Sequence, residues 1–342
     1  PSMSLRRVLV AFGLLAALAA VAYTAYWFHV AGQLRKGIEG WADHRRSMGW
    51  TVEWRSLQVG GFPGGVRADM AAPHLASPAG WRWRGESLAA DASPFDITRV
   101  ALHSPGRHLL AWGGQEMAVT AGHARADLDF RDGTLDAASV ALADVESEGW
   151  RAATVSANFD PQPPPPDHDG AGATFAARVQ RAALPEIPGL VLEREIAFAE
   201  IAGRVMGPLP VGAPVDALMR WSAEGGTVEI DRLALDWAPM GMEAEGTFAF
   251  DPALQPLLTL SARVRGFSPL MDRLNAAGMV DAGASAAAKL LLSMMSKPDA
   301  QGRPAVPVPV TLQEGMLFFG PAKVARVPPI QWPGQEEGAL AR

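Results

Sequence analysis

Cysteine is absent from this chain, and its absence removes whole classes of function. Without cysteine the chain cannot build a disulfide framework, a thiolate metal site or a thiol nucleophile. Tyrosine is nearly absent, because the only two, Tyr23 and Tyr26, lie in one short stretch. Histidine is sparse, and no two histidines have the i, i+4 spacing around a glutamate that zinc proteases use.

An excess of basic residues is also lacking, since 30 Lys and Arg face 36 Asp and Glu, a net charge of −6. A chain of this balance has no basic surface for nucleic acid, so no nucleic-acid partner is predicted. Neither a Gly-x-Ser-x-Gly nucleophile motif nor a phosphate-binding loop occurs in the sequence. We therefore predict that the protein is not an enzyme and needs no cofactor.

The acidic run Asp127, Asp129 and Asp132 invites a calcium interpretation, but the spacing of a calcium loop is missing. Asp127 and Asp129 alternate with apolar residues, which is typical of the solvated face of a strand. His103 and His108 flank a predicted surface turn. No metal site is predicted at either place.

Charge is missing altogether between Arg7 and Arg35, and most of this stretch is apolar. About 20 apolar residues in a helix cross the hydrocarbon core of a bilayer, so residues 8–28 are predicted to be a transmembrane helix. Positive charge before the span favours retention of residues 1–7 in the cytoplasm. A cleaved secretory signal is the alternative. The residues assigned to the anchor are Arg6, Arg7, Val8, Leu18, Tyr23, Tyr26 and Trp27.

The remainder of the chain alternates between apolar and polar residues, as half-buried strands do, and residues 125–131 and 258–265 are examples. We predict a mainly β fold with minor α content, a curved, mostly antiparallel extended sheet behind one N-terminal transmembrane helix. Ser268-Pro269 predicts the start of a helix, because Pro is common at the first helical position. The predicted segments are a juxtamembrane helix 29–47, a first β half 48–159, a Pro-rich linker or loop 160–170, a second β half 171–332 with a helical insert 269–296, and a disordered tail 333–342.

An internal repeat supports the β prediction. Residues 51–68 and 227–244 match without a gap at Thr, Val, Glu, Leu, Pro, Gly and Ala. A further copy begins at Gly133, and residues 314–318 are a weaker echo. Strand units of this kind bury their apolar faces by stacking side by side. Chance matches among short strands rich in Gly, Thr, Val and Leu are the alternative.

Three segments resemble the DUF2125 family of alphaproteobacterial proteins. They are residues 54–63 with Val-Gly-Gly-Phe-Pro, residues 233–237 with Leu-Ala-Leu-Asp-Trp, and residues 314–329 from Glu-Gly-Met-Leu-Phe-Phe-Gly-Pro to Val-Pro-Pro. The family has no established activity, so the resemblance implies no chemistry. The pattern of short strands separated by Gly, following a single N-terminal anchor, is also similar to AsmA-like envelope proteins. That resemblance implies a curved sheet with an apolar groove and a role in lipid traffic or envelope maintenance.

These observations predict a single-pass protein of the bacterial inner (plasma) membrane with its body in the periplasm, binding or transferring a phospholipid or other lipid along an apolar β-groove. The alternative is a structural or assembly factor that binds another envelope protein through a sheet edge, which an unpaired strand near residues 316–319 would favour. Trp41, Trp50, Trp54, Trp81 and Trp83 either pack in the core and a membrane belt or form the mouth of the groove. The candidate groove residues are Trp54, Leu128, Phe130, Phe248, Phe250, Leu258, Leu260 and Val264.

Overall fold

The protein is described by a computed structural model. The structure describes residues 5–112, 115–210, 214–299, 301–330 and 332. The predicted disordered tail 333–342 lies outside the described residues.

The N-terminal element is one helix, α1 (Leu5–Ser47), which contains both the predicted span 8–28 and the predicted juxtamembrane helix 29–47. Its sequence is rich in Ala and Leu, which favour helix, and has no internal Pro to interrupt it. The helix ends at Gly49, whose φ of 83° lies in the left-handed region that Gly adopts at low cost. The backbone N–H groups of Gly49 and Trp50 cap the carbonyls of Arg46 and Arg45, at 3.0 and 3.1 Å. From Leu14 onward α1 is long and apolar enough to cross a membrane.

The body is an antiparallel sheet of 20 strands that does not close on itself, so the predicted mainly β fold is confirmed. Its first nine strands are β1 (Thr51–Glu53), β2 (Ser56–Gly60), β3 (Val66–Ala71), β4 (His74–Ala76), β5 (Arg82–Gly85), β6 (Ser87–Ser93), β7 (Asp96–His103), β8 (Gly106–Trp112) and β9 (Gln115–Arg131). The others are β10 (Thr134–Ser147), β11 (Trp150–Pro161), β12 (Ala171–Ala183), β13 (Glu195–Met206), β14 (Val228–Trp237), β15 (Met240–Phe250), β16 (Pro256–Arg265), β17 (Lys297–Pro298), β18 (Pro304–Gln313), β19 (Met316–Phe319) and β20 (Ala322–Arg326).

The sheet divides at β9, a strand of 17 residues. The first half of β9 pairs with β8, which continues through β5 and β4 to β1. The second half pairs with β7, which continues through β6 and β3 to β2. Beyond β9 the sheet is a single row of consecutive hairpins from β10 to β16, followed by β18, β19 and β20.

The Pro-rich segment 160–170 is a loop between two strands that pair with each other. Asp160 and Pro161 at the end of β11 lie opposite Thr174 and Ala173 of β12. The Gln162 N–H also donates to the Gly172 carbonyl at 2.8 Å. The sheet therefore continues through this point in the chain.

One face of the sheet is apolar over most of its length. Directly paired residues share a face, so the register can be followed from strand to strand. One such line crosses six strands, through Val100, Leu128, Ala138, Phe159, Phe175 and Gly203. The neighbouring line on the opposite face is polar at many positions and includes Asp127, Ser139 and Asn158.

At the end of the sheet that contains β14 to β19, the protein's own side chains cover the apolar face. Ile230, Ala244, Leu260, Val264 and Val310 are buried there against one another. Phe248, Leu258, Leu317 and Phe319 pack around them. This cluster is the core of the far end of the sheet.

Three further helices lie in the connections between strands. The sequence did not predict α2 (Pro214–Ala223), which lies between β13 and β14 and is anchored by Trp221, whose Nε1–H donates to the Met206 carbonyl at 2.9 Å. The predicted insert 269–296 contains α3 (Phe267–Ala276) and α4 (Ala282–Met295). The predicted start at Ser268 is wrong, because α3 begins after Gly266, where a φ of 81° and the closeness of the Pro239 carbonyl leave no room for a Cβ. Pro269 lies within the first turn, where its missing N–H costs no helical hydrogen bond.

Helix α1 is fixed to the sheet along its C-terminal half, starting in the last turns of the predicted span. Trp27 is 3% exposed and packs with Ala31 against Val66, and its Nε1–H donates to the Gly65 carbonyl at 3.2 Å. Near the end of the helix Ala42 is fully buried, and the Arg46 guanidinium donates to the Val52 carbonyl at 2.6 and 3.0 Å. The contact therefore runs from Trp27 to Arg46.

Replacing Leu260 with Ala should lower the free energy of unfolding by about 2–5 kcal/mol, because Leu260 is 3% exposed in the far core. Val140→Ala is the control, since Val140 lies in a central strand and is 39% exposed, and its effect should stay below about 1 kcal/mol. Urea unfolding of the full chain in detergent measures both. Equal effects would contradict the placement of the core.

Replacing Trp27 with Ala should loosen α1 from the sheet, because a buried indole and its hydrogen bond are lost, at a cost of about 3–5 kcal/mol. Hydrogen exchange of the amides in residues 57–66 should become faster. Phe28→Ala is the control, because the neighbouring ring is 62% exposed. Unchanged exchange in the Trp27 variant would show that this contact does not hold the helix.

Candidate functional site

An apolar cavity lies where α1 passes over the first strands of the sheet. Its helical wall is formed by Val30, Leu34, Ile38 and Trp41, with Gln33 and Gly37 beside them. The spacing of the four large residues places them along one face of a helix. Arg35, Lys36 and Glu39 fall between them in sequence and do not line the cavity.

The other wall of the cavity is the apolar face of β2, β3, β6 and β7. In β3 the lining residues Val66, Ala68 and Met70 alternate with Arg67 and Asp69. The strands β2, β6 and β7 supply Leu57, Leu88, Ala90, Ala92, Ile97, Val100 and Leu102. Strict alternation explains why an apolar wall forms here while charged side chains of the same strands face away.

The cavity exists because small residues face one another across it. Ala90 and Ala92 of the sheet and Gly37 of the helix leave a volume of about 510 Å³. A Cβ added at Gly37 would have no atom within 4 Å. The residues that line this cavity, which we call the α1 groove, include no charged side chain. Its volume lies in the range of about 300–1,000 Å³ that is usual for small-molecule pockets.

A group of aromatic rings lies between α1 and the sheet at the end of the groove nearer the predicted span 8–28. We call this group the aromatic collar, and it consists of Tyr23, Tyr26, Trp27 and Phe28 of the helix with Phe62 and Phe95 of the sheet. The Phe95 ring stacks at 5.9 Å on both Tyr23 and Tyr26. The Tyr23 hydroxyl donates to the Pro63 carbonyl and the Tyr26 hydroxyl to the Pro94 carbonyl, the latter at 2.7 Å. The collar therefore joins α1 to the β2–β3 and β6–β7 turns.

The remaining residues assigned to the anchor lie on α1. Arg6, Arg7 and Val8 are in its first turns, and Leu18 is 67% exposed on the helix surface. The two tyrosines and Trp27 also hold the sheet, because each donates a hydrogen bond to a backbone carbonyl in its turns.

None of the eight predicted groove residues lines the α1 groove. Leu128 and Phe130 lie on the apolar face of β9, where Leu128 pairs with Val100 of the groove wall. Trp54 lies between β1 and β2, with the Arg46 guanidinium 5.3 Å from its ring centroid. Leu128 therefore adjoins the groove wall, and none of the three residues lines the groove.

The other five predicted groove residues lie at the far end of the sheet. Leu260 and Val264 are buried in the far core, and Phe248 and Leu258 pack against it. Phe250 contacts the rings of Phe248 and Trp332, with centroids 4.9 and 6.0 Å away. These five residues lie on β15 and β16, which pair with each other, and β16 also pairs with β18. Their own side chains therefore cover the apolar face at this end of the sheet.

Helical spacing in α1 is the sequence signal that could have located the groove. Val30, Leu34, Ile38 and Trp41 form a stripe in a segment otherwise charged, which predicts a helix face in need of a partner. The alternating Val66-Arg-Ala-Asp-Met70 offers such a surface. Of the five clustered tryptophans, Trp41 lines the groove, while Trp50 contacts Trp81 and Trp83 stacks on His108.

The opposite face of these strands carries ion pairs. Arg67 bridges Asp69 and Asp91 at 2.9 and 3.2 Å. Arg125 contacts Asp127 at 2.6 Å, and this hydrogen bond lowers the pKa of the Asp127 carboxyl. Among the described residues, no three His, Asp or Glu side chains are grouped so that they could hold a metal ion.

Comparison with known proteins identifies a family but no characterised relative. No curated protein and no solved structure matches the chain. The similarity to AsmA-like proteins therefore stays a prediction. Residues 27–328, from the collar to the end of the sheet, match the family described as "Uncharacterized protein conserved in bacteria (DUF2125)". The chain belongs to the DUF2125 family.

Proposed function

We propose that this protein is a non-enzymatic, membrane-tethered lipid-binding protein that holds an acyl chain in the α1 groove. The observation that carries the proposal is the groove itself, a space of about 510 Å³ lined without charge. It begins at Val30, directly after the predicted span 8–28. A ligand of matching chemistry, the hydrocarbon of a lipid, is thus available beside its opening.

The energetics favour exchange with the bilayer rather than permanent capture. An acyl chain that enters the groove leaves one apolar environment for another, so the hydrophobic gain of about 0.8 kcal/mol per CH₂ from water does not apply. The free energy of transfer then depends on packing in the groove, which is loose around Ala90 and Gly37. A lipid held in this way can be taken up and released again.

The polar requirements of a lipid also fit this arrangement. A headgroup cannot enter a groove without charged side chains unless it loses its hydration. It would remain at the membrane end, where the collar's tyrosine and tryptophan side chains lie. The proposal therefore places the chain inside the groove and the headgroup outside.

The body is proposed to lie in the periplasm of a bacterium, with α1 in the inner membrane. Arg6 and Arg7 before the span support a cytoplasmic N-terminus, since positive charge is retained there. Long segments such as the sheet cross a membrane largely regardless of their charge.

The alternative function, assembly with another envelope protein through a sheet edge, finds less support. Residues 316–319 form β19, which pairs with β18 on one side and β20 on the other. The strand beyond β19 is β20 (Ala322–Arg326), which pairs with β19 alone, while β1 and β2 are edge strands at the α1 end of the sheet. Strand β20 carries Lys323 and Arg326, and cationic residues on an edge strand oppose further pairing.

Gly37→Leu should reduce lipid that copurifies with the protein, because the new side chain would occupy the groove from a helix position with open space around it. Gly40→Leu is a matched control on the same helix. A Cβ at Gly40 also meets no atom within 4 Å, but Gly40 does not line the groove. Both changes favour helix by up to about 1 kcal/mol, so helix propensity cancels in the comparison.

Native mass spectrometry of the detergent-solubilised full chain measures this effect. The wild-type protein and Gly40→Leu should carry phospholipid, and Gly37→Leu should carry at least severalfold less. Equal lipid in both variants would refute binding in the groove. A lipid-free wild-type protein, with a protein partner recovered by cross-linking, would favour the sheet-edge alternative.

The orientation is tested by a reporter that is active only in the periplasm, fused after Arg342. The fusion should be active if α1 crosses the membrane once with its N-terminus inside. A fusion to a cytoplasm-active reporter is the control and should be inactive. The reverse pattern would overturn the proposed orientation while leaving the groove untouched.

A further inference from the structure

Two turns of the sheet are built like membrane-inserting tips. The first tip is residues 61–65 between β2 and β3, and the second is residues 93–97 at the β6–β7 turn. Each carries a phenylalanine of the aromatic collar, Phe62 or Phe95. We propose that both tips insert into the interfacial layer of the same bilayer that α1 crosses, so that the sheet stands on the membrane at three points.

The tips present large apolar side chains outward. Phe95 is 75% exposed, Ile97 is 67% exposed and Phe62 is 46% exposed, although each lies within a few residues of a buried wall. Phe28 of α1 stacks on Phe62 at 6.0 Å and continues the same surface. Exposed aromatic and aliphatic residues at turn tips are costly in water and favourable at a membrane interface.

The depth of the tips along α1 matches the boundary of the hydrocarbon core. Residues 8–28 form about 31 Å of helix at 1.5 Å per residue, close to the roughly 30 Å of a bilayer core. The tips contact α1 from Tyr23 to Phe28, which is the last part of this length. If α1 spans the bilayer, the tips lie beside the end of the span.

Three backbone carbonyls of the tips are hydrogen-bonded within the protein, as a position in a membrane requires. The carbonyls of Pro63 and Pro94 accept hydrogen bonds from the Tyr23 and Tyr26 hydroxyls, and the Gly65 carbonyl accepts from Trp27 Nε1–H. Unpaired backbone groups are expensive at membrane depth, and here the helix side chains satisfy three of them. In turns exposed to water these carbonyls could accept hydrogen bonds from water, so the three bonds from α1 would not be needed.

Charges near the tips set the limit of insertion. Asp96 lies in the second tip between Phe95 and Ile97, and its carboxylate accepts from the Thr98 N–H at 3.2 Å. The proposal keeps this charge at headgroup level, so the tips enter the interfacial layer and no deeper. Beyond it, the Arg67 and Arg125 guanidiniums are paired with carboxylates of the sheet. The surface therefore changes from apolar to charged within a few residues of each tip.

Insertion would fix the angle of the sheet and the position of the groove. Ile97 lies in the second tip and also lines the α1 groove, so its insertion would place an opening of the groove at the bilayer boundary. The inference rests on the tether in the proposed function, but it does not require that the groove binds lipid.

Spin labels test the proposal directly, because the chain has no cysteine and each introduced cysteine is the only label site. The full chain is reconstituted in phosphatidylethanolamine–phosphatidylglycerol vesicles with a label at Phe95→Cys or at Ile97→Cys. Ile97 makes no ring contact with α1, so its substitution keeps the test valid if loss of the Phe95 ring disturbs the collar. Leu18→Cys in the span and Ser156→Cys on the polar face of β11 are the lipid and water controls.

Collisions with oxygen and with a water-soluble nickel complex report the environment of each label. At positions 95 and 97, as at 18, oxygen should dominate, and at 156 the nickel complex should dominate. Nickel dominance at 95 and 97 with oxygen dominance at 18 would overturn insertion while the tether stands. Nickel dominance at 18 as well would overturn both. Labels at 95 and 97 shielded from both reagents would indicate a protein partner and would also overturn the proposal.

Discussion

The contact between α1 and the first strands is the interaction on which the rest of the molecule depends. It joins a helix fit to cross a membrane to a sheet that has one apolar face. Trp27 and Ala42 are buried at its two ends, and Arg46 holds the Val52 carbonyl beyond them. Between these fixed points Ala90 and Gly37 are too small to fill the space, so the same contact that anchors the sheet also creates the groove.

The two ends of the apolar face meet the need for burial in different ways. At the far end, Ile230, Leu260 and Val310 pack against one another and close the face. At the other end α1 covers the face and leaves a space of about 510 Å³. Under the proposed function, the end that α1 covers is the one beside the hydrocarbon of the bilayer. The difference between the ends is therefore the physical basis for placing lipid binding next to α1.

Local sequence patterns predicted many strands of this fold but could not predict which strands pair with one another. Alternation in residues 125–131 and 258–265 identified β9 and β16, because period two is a property of each strand alone. The division of the sheet at β9 depends on which strands pair with its two halves, and no local pattern contains that information. Helix α2 was missed because ten residues are too few for a helical period to stand out among the neighbouring strands.

The candidate site shows the same limit. Phe248, Leu258 and Leu260 are as apolar as any groove residue, yet they are enclosed because β15, β16 and β18 bring them together. Leu88, Ala90 and Leu102 resemble them in sequence and line a cavity because α1 lies over their strands. The long apolar helix was easier to predict, since a stretch without charge is visible in the sequence itself.

The measurement that tests the account most directly is photo-cross-linking with a phospholipid that carries a diazirine in its acyl chain. The full chain in vesicles is irradiated and digested, and the labelled peptides are mapped. The account predicts labels on the groove walls, in residues 30–41 of α1 and in residues 88–102 of the sheet, in addition to the span. Labels confined to residues 8–28 would contradict it, because the helix would then meet lipid only as an anchor.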